Sequence, residues 1–480
     1  MKQKPLAATG VFFLATLASA QDAKTVLQSA ADAVGAANMN SIQITGTGHF
    51  ASLGQNHLPN APWPETNLTA YTRTIDFAAK ASKEEFTRVN QNPPAKGGGA
   101  PFADGQKQVN FVSGQYAWNQ PGAQPQPAIA AADERQLQIW LTPQGFVKGA
   151  MEGNATARKG KGGTDVTFTA LSKYKVTGTI DAQGMVTKVS TWMPSPVLGD
   201  MLIETTYSGY KDFGGVKFPA RIVQNQGGFP IWDFDVTEVK ANPGSLGLTV
   251  PDAVRTATLP PVRAVSEKLG DGVWFIGGGS HNSVVVEFKD YVTVIETPLT
   301  EERADAVLAE AKKLVPNKPI KYVINSHHHF DHSGGLRTAV AEGIPIITQE
   351  QNKAFYEQAW KAPHTMDPDK LFKSPKKAKF IAVKDKYQVT DGNQTIDLYL
   401  IEGNNHNGDM MMAYLPKQKI LVEADLFTPP APGTALVPVA AGFANTLYDN
   451  VQKLKLDIAT IAPLHGRPVP YSDFPKAIGK

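Results

Sequence analysis

The stretch "YVINSHHHFDHSGG", Tyr322 to Gly335, puts four histidines and one aspartate into positions 327–332 of a chain with 10 histidines in all. An apolar run, "KYVIN", leads into it. Behind it "SGGLRTAVAE" has helical spacing, with Ser333 as the expected N-cap. The expected local structure is strand, ligand-rich turn, helix. Side chains alternate along an extended backbone, so His327, His329 and Asp331 share one side and His328 points to the other. His332 breaks that period, and a turn must bring it back. Imidazole and carboxylate are donors that zinc accepts at hydrolytic sites. A metal site at a strand end is the reading.

Residues 260–480, the block around this stretch, alternate short strands ("VWFIGG", "SVVVEF", "VTVIET", "KYVINS", "PIITQ") with helical runs ("EERADAVLAEAKKLV", "GGLRTAVAEG"). That order predicts a layered α/β domain. Upstream, "VPDAVRTATLPPVRAVSEKL" carries Pro251, Pro260 and Pro261, which interrupt regular structure and mark a linker. Residues 21–255 have another texture. One helical segment, "DAKTVLQSAADAVGAANM", precedes alternating runs such as "SIQITGTGHF", "TDVTFTALSKYKVTGTI" and "MLIETTYSGY", parted by turn signals such as "DAQG" and "DFGG". A mainly antiparallel β (α+β) domain is expected, with "NQNPPAKGGGAP" and "NQPGAQPQPAIAA" as loops. No catalytic constellation shows in this block. Its His49 and His57 read as structural or surface residues.

A chain of 480 residues suits two domains plus a targeting segment. Lys2 and Lys4, an apolar run and Ala18-Ser19-Ala20 make residues 1–20 a signal peptide, so periplasmic or secreted protein is expected. No other segment has the length and apolarity to span a membrane. The absence of cysteine excludes disulfides, zinc fingers and cysteine nucleophiles together. Formal charge is +3, and losing Lys2 and Lys4 leaves 45 basic against 44 acidic side chains, or +1. That is no footprint for nucleic acid or an anionic membrane, and leaves a small-molecule substrate as the expected partner. The cluster "KSPKKAKF", Lys373 to Phe380, reads as a solvated loop.

His327-x-His329-x-Asp331-His332, with Gly334 and Gly335 behind it, resembles the signature of the metallo-β-lactamase superfamily. The likeness runs on through the block. His406 in "EGNNHNGDMM", Asp425 in "ILVEADLF" and His465 in "IAPLHGRP" follow in the family's order. The resemblance implies an αββα sandwich with two zinc ions, or iron or manganese, at the edge of its sheets. It implies that His327, His329 and His406 hold one ion, that Asp331, His332 and His465 hold the other, and that Asp425 bridges them. A hydroxide shared by the metals would be the nucleophile, with Asp331 as proton shuttle to the leaving group. In the first block the strand pattern and "YSGYKDFGGVKFPARI" are similar to the outer-membrane lipoprotein-carrier half-barrel, which implies a ligand- or lipid-binding sheet.

Four further residues are candidates near the site. Glu296, ending "VTVIET", is a partner for a ligand histidine or a strand-end cap. His281 in "GGSHNSVVV" is a rim or turn residue. His328 packs behind the ligands, and the loop of His364, "KAPHTMDPDK", is a candidate to reach over the site. On substrate, the missing cysteine excludes the cysteine-ligand β-lactamases. By resemblance, Asp425 in the bridging position is the pattern of lactonases and thioesterases. Ester, lactone or thioester hydrolysis is therefore expected first and β-lactam hydrolysis second. A ligand-binding protein with an auxiliary metal domain is the reading of another class, and an apolar cavity in the sheet domain would favour it.

Overall fold

The computed structural model describes residues 12–430 and 441–480. The Lys2 and Lys4 end of the expected leader lies outside them, and the helix Phe12–Val34 takes in the rest. Among the described residues no helix is long and apolar enough to cross a membrane.

Strands between Ser41 and Ala241 form one 13-stranded sheet. Its first strand, Ser41–Ala51, lies in the interior, paired antiparallel with Glu65–Asp76 on one side and Phe229–Ala241 on the other. Alternation explains why these runs are strands: in Tyr174–Ile180 every second residue is buried. Leu27, Ala30, Ala31 and Val34 of the first helix join Ile42, Val176 and Val189 of the sheet in one core. Two helices that the sequence pattern did not announce, Ala132–Trp140 and Pro143–Glu152, share this core. Their apolar stripes are broken by the buried Gln136 and Gln144. The legible signal is local: the Thr142 hydroxyl accepts from Gly145 N, and Pro143 takes the first helical position.

A cavity of about 250 Å³ lies between these helices and the sheet. Tyr71, Phe111, Trp232 and Phe234 supply rings to its wall, while Arg73, Glu84, Glu134 and Arg135 supply charge. Ile44, Val112, Leu141 and Ile222 complete it, so the wall mixes apolar surface with charged groups.

Residues 265–470 hold the expected αββα arrangement, with one seven-stranded and one six-stranded sheet. The strand Ser283–Glu287 shows the layering. Val284 and Val286 join the core shared with Leu398, Met412 and Leu421 of the second sheet. Val285 instead packs with Val307 and Leu308 of the helix Glu301–Leu314 and with Leu336 and Val340 of the helix Leu336–Glu342. A strand buried on both faces reads as a continuous apolar run, as "SVVVEF" does.

One local expectation fails. Ser333 does not cap the long helix; it ends a separate helical turn, Phe330–Ser333, and donates to the carbonyls of His328 at 3.1 Å and His329 at 2.9 Å. Gly334 and Gly335 part the two helical pieces. A Cβ on Gly334 would lie 1.9 Å from the Leu299 carbonyl oxygen, so the turn is pressed onto the neighbouring backbone as only glycine permits.

Candidate metal centre

The strand Ile320–Ile324 ends just before the histidine stretch, and residues 325–329 run on as irregular backbone. Behind them sits Glu296, fully buried at the end of the strand Val292–Ile295 with a φ of 72°. Positive φ is costly for a side chain of this size, and such strain persists where surroundings over-determine it. Here they do. The Glu296 carboxylate accepts from Asn325 Nδ2 at 3.0 Å, from the Ser326 hydroxyl, and from His332 Nδ1 at 3.2 Å. Having donated to Glu296, Ser326 offers its oxygen to His327 Nδ1 at 3.0 Å. The Nε2 atoms of His327 and His332 are thereby left to face the centre.

The cluster closes around Asp425, whose φ of 63° marks a second strained strand end after Ile420–Glu423. Asp425 Oδ2 lies 3.0 Å from His332 Nε2 and 3.6 Å from both His327 Nε2 and His406 Nε2. Its Oδ1 lies 3.0 Å from His465 Nε2. Three donor sets emerge: His327, His329 and His406; His327, His332 and Asp425; and His281, Asp331, His332 and His465. All seven sequence-predicted donors are brought together. His281 joins them, with Nε2 2.9 Å from Asp331 Oδ2 and Nδ1 2.8 Å from the Ser280 hydroxyl.

Chemistry tests whether this group suits a metal. His327 Nε2 and His406 Nε2 are buried without a hydrogen-bond partner, each 3.6 Å from Asp425 Oδ2. Buried polar atoms are nearly always paired, so two unpaired imidazole nitrogens turned to one carboxylate fit a cation. Neutral imidazole is the form a metal needs. Burial, together with the neighbouring His332 and His329, pushes His327 well below the ordinary histidine value. Burial and His406 do the same to His329. His332 behaves oppositely: burial opposes its charge, but Asp425 and Glu296 outweigh that and raise it well above the ordinary value. Against burial, His332 and His406 hold Asp425 well below the usual carboxylate range. His281 and His332 likewise hold Asp331 down. Without metal, a proton on His332 stands between two carboxylates where a cation would go.

The remaining candidates fall behind the cluster or away from it. His328 turns its Nδ1 to Asp409 at 3.0 Å and its Nε2 to Asn56 Oδ1 at 3.1 Å, so it supports from behind. His364 does not reach over the centre. Its loop is held on the sheet domain, where Asp200 accepts from Thr365 N and Met366 N at 3.0 Å. What sequence reasoning missed is the share of the first block. Gln55 Nε2 donates to Asp331 Oδ1 at 2.8 Å, the Asn56 carbonyl accepts from His329 Nε2 at 2.9 Å, and the Gly98 carbonyl accepts from His406 Nδ1 at 2.5 Å. His57, read as a lone residue, lies at the same junction, its carbonyl accepting from Gly408 N at 2.8 Å. Two of these contacts with the clustered histidines run through main-chain oxygens, which leave no signature in a sequence.

Known proteins match the same part of the chain. Residues 276–465 match the family model of the Metallo-beta-lactamase superfamily. A linear primary-alkylsulfatase from Pseudomonas sp is 32% identical over 129 residues, which are 26% of this chain and 18% of that relative. The chain thus spans under a fifth of that relative's length. Among solved structures, a metallo-beta-lactamase from Pontibacter korlensis is 19% identical, covering 45% of this chain and 98% of its own, with a TM-score of 0.36. The metallo-beta-lactamase FIM-1 from Pseudomonas aeruginosa, in its mono-zinc form, is 19% identical over 45% of this chain and 94% of its own, with a TM-score of 0.35.

Proposed function

We propose that this chain, whose C-terminal part has the metallo-beta-lactamase fold, is a metal-dependent hydrolase that holds two divalent ions. Zinc is the expected metal, with iron or manganese as alternatives. The observation that carries the reading is the convergence of His327 Nε2 and His406 Nε2, buried and unpartnered, on Asp425 Oδ2. His327, His329 and His406 would hold one ion, Asp331, His332 and His465 the other, and Asp425 would lie between. When bound, such a pair supplies a water acidified toward neutral pH and a Lewis acid for the substrate oxygen. The chain's own part is orientation and proton traffic. Asp331, ionised and held by Gln55 and His281, is placed to take a proton and pass it to the leaving group. Its side chain is 28% exposed and that of His465 20%, so a small-molecule substrate would enter on that side, while His327 is fully enclosed.

Ester, lactone or thioester hydrolysis is the leading reaction, supported by Asp425 in the bridging position and the absence of cysteine. The partial likeness to an alkylsulfatase supports a second reading, hydrolysis of a sulfate ester. The test is elemental analysis followed by turnover of aryl esters, lactones, acyl thioesters, an alkyl sulfate and nitrocefin. We expect close to two ions per chain, with esters or thioesters turned over fastest. Faster alkyl sulfate hydrolysis would select the second reading, and faster nitrocefin hydrolysis a β-lactamase. No turnover, with a ligand co-purifying in the sheet cavity, would select a binding protein. Export would place Gln21 at the N-terminus of mature protein, which N-terminal sequencing of the secreted fraction reads directly.

A further inference from the structure

The ligand histidines of the cluster need their outer nitrogens fixed, and two of those fixings come from the other domain. The loop at 52–64 joins the strands Ser41–Ala51 and Glu65–Asp76 of the large sheet, and reaches into the C-terminal part. Gly54 receives the Phe330 ring, which a Cβ there would meet at 2.3 Å, and its carbonyl accepts from Phe330 N at 3.2 Å. Trp63 packs edge-on against the same ring at 5.7 Å. Asn56, wholly buried, is held by donating to the Leu58 and Ala61 carbonyls at 2.8 and 3.2 Å. A second N-terminal loop is tied to the first, Gly98 N donating to the Gln55 carbonyl at 2.8 Å, and to the C-terminal part, Gly97 N donating to the Asn405 carbonyl at 2.8 Å.

Carbonyl oxygens only accept. The Asn56 carbonyl therefore requires a proton on His329 Nε2, and the Gly98 carbonyl requires one on His406 Nδ1. That leaves His329 Nδ1 and His406 Nε2 as the lone-pair nitrogens, in the set they form with His327. Gln55 does the equivalent for Asp331 by occupying Oδ1. We propose that the N-terminal loops at 52–58 and 97–98 are an outer part of the metal centre, setting the tautomers of two ligand histidines and the pose of Asp331. Gln55 and Asn56 are positioning residues in this scheme. The inference rests on the proposed metal centre and goes beyond it, because it makes the sheet domain necessary for metal retention whatever the substrate.

The test uses full-length protein and zinc alone. Gln55→Ala removes one hydrogen bond, to Asp331; Asn56→Ala removes the anchor of the loop. Asp200→Ala loosens the same two domains at the 363–366 loop, away from the cluster. Zinc retention against a graded chelator should weaken by about tenfold for Gln55→Ala and up to about a hundredfold for Asn56→Ala, the range for outer partners of ligands. Asp200→Ala should hold zinc within about twofold of the unaltered protein, since outer partners alone carry the effect. With cobalt in place of zinc, Gln55→Ala should shift the ligand-field bands and Asp200→Ala should not. Should Asn56→Ala fail to fold, Gln55→Ala decides. Unaltered zinc retention and cobalt bands in Gln55→Ala overturn the inference, as does equal loss in Asp200→Ala. Failure of the unaltered protein to hold zinc sinks the proposed metal centre instead.

Discussion

The two domains each gather a knot of charged and polar side chains, half-buried in the first and buried in the second, and the knots differ in one further respect. In the sheet cavity the groups satisfy one another. Glu84 accepts from the Tyr71 hydroxyl at 2.8 Å and Asn110 Nδ2 at 3.1 Å, Gln138 pairs with Gln224, and Arg135 donates to the Phe111 and Trp118 carbonyls at 3.1 and 2.9 Å. In the histidine cluster two inner nitrogens, His327 Nε2 and His406 Nε2, have no partner, while the outer nitrogens of both rings are supplied. Paired polar groups hold a fold in one arrangement, whereas buried convergent unpaired ones wait for something. Chemistry in this molecule belongs where buried donors converge without partners.

The largest effect should follow removal of what the cluster waits for. Chelation should abolish hydrolysis, and added zinc should restore it. Asp331→Asn should lower the catalytic rate by about 10²–10⁴, the range for a positioned proton carrier, and weaken one metal site. Measuring kcat with metal content on the same sample separates those losses. Residual activity near that of the unaltered protein would remove Asp331 from the mechanism. Next in size is Glu296→Gln. It weakens the acceptor that orients His332 and, through Ser326, His327, so zinc affinity should fall by about 10–100-fold.

Zinc uptake should also depend on pH in a set direction. His332 is raised above its ordinary value in metal-free protein, so its stabilising contribution is fully present below about pH 6.5 and fades as pH climbs through the raised value. His327 and His329 are lowered, so their cost appears as pH falls below about 6.5, where the unfolded chain takes up protons and they do not. A cation entering the cluster must displace the His332 proton. Zinc added to metal-free protein at pH 7 in weak buffer should therefore release about one proton per chain, readable with a pH indicator. No release would mean that His332 is already neutral and poised.

Legibility followed the same divide. His327 to His332 could be read as a site because residue types crowd together there, and Val284 to Val286 as a strand buried on both faces because the run is unbroken. His406, Asp425 and His465 became legible through resemblance alone, since each is a single residue in an ordinary loop or strand end. Asn56 and Gly98 were not legible at all. Their contacts with His329 and His406 are made by backbone atoms, and the folding of a 13-stranded sheet decides where those atoms go. Ser333 was misread because Gly334 was taken as part of the helix; its contact with Leu299 is long-range and invisible locally.

The smallest effect should come from the satisfied knot, and it is the sharper half of the comparison. Arg135 lies partly buried between the cavity and the sheet edge, donating to two carbonyls and to Asn119 Oδ1 at 2.5 Å. Phe111 and Trp118 are opposite one another in the strand ladder, so Arg135→Ala would remove a second donor from each carbonyl, at a cost of about 0.5–1.5 kcal/mol per bond. That loss should show as a lower urea midpoint for the sheet domain. It should not reach the metal centre, whose N-terminal contacts come from the 52–58 and 97–98 loops. Zinc content, chelator resistance and kcat should therefore match the unaltered protein at low urea. A fall in hydrolysis without loss of metal would mean that the cavity takes part in substrate handling, and that satisfied polar groups here serve more than the fold.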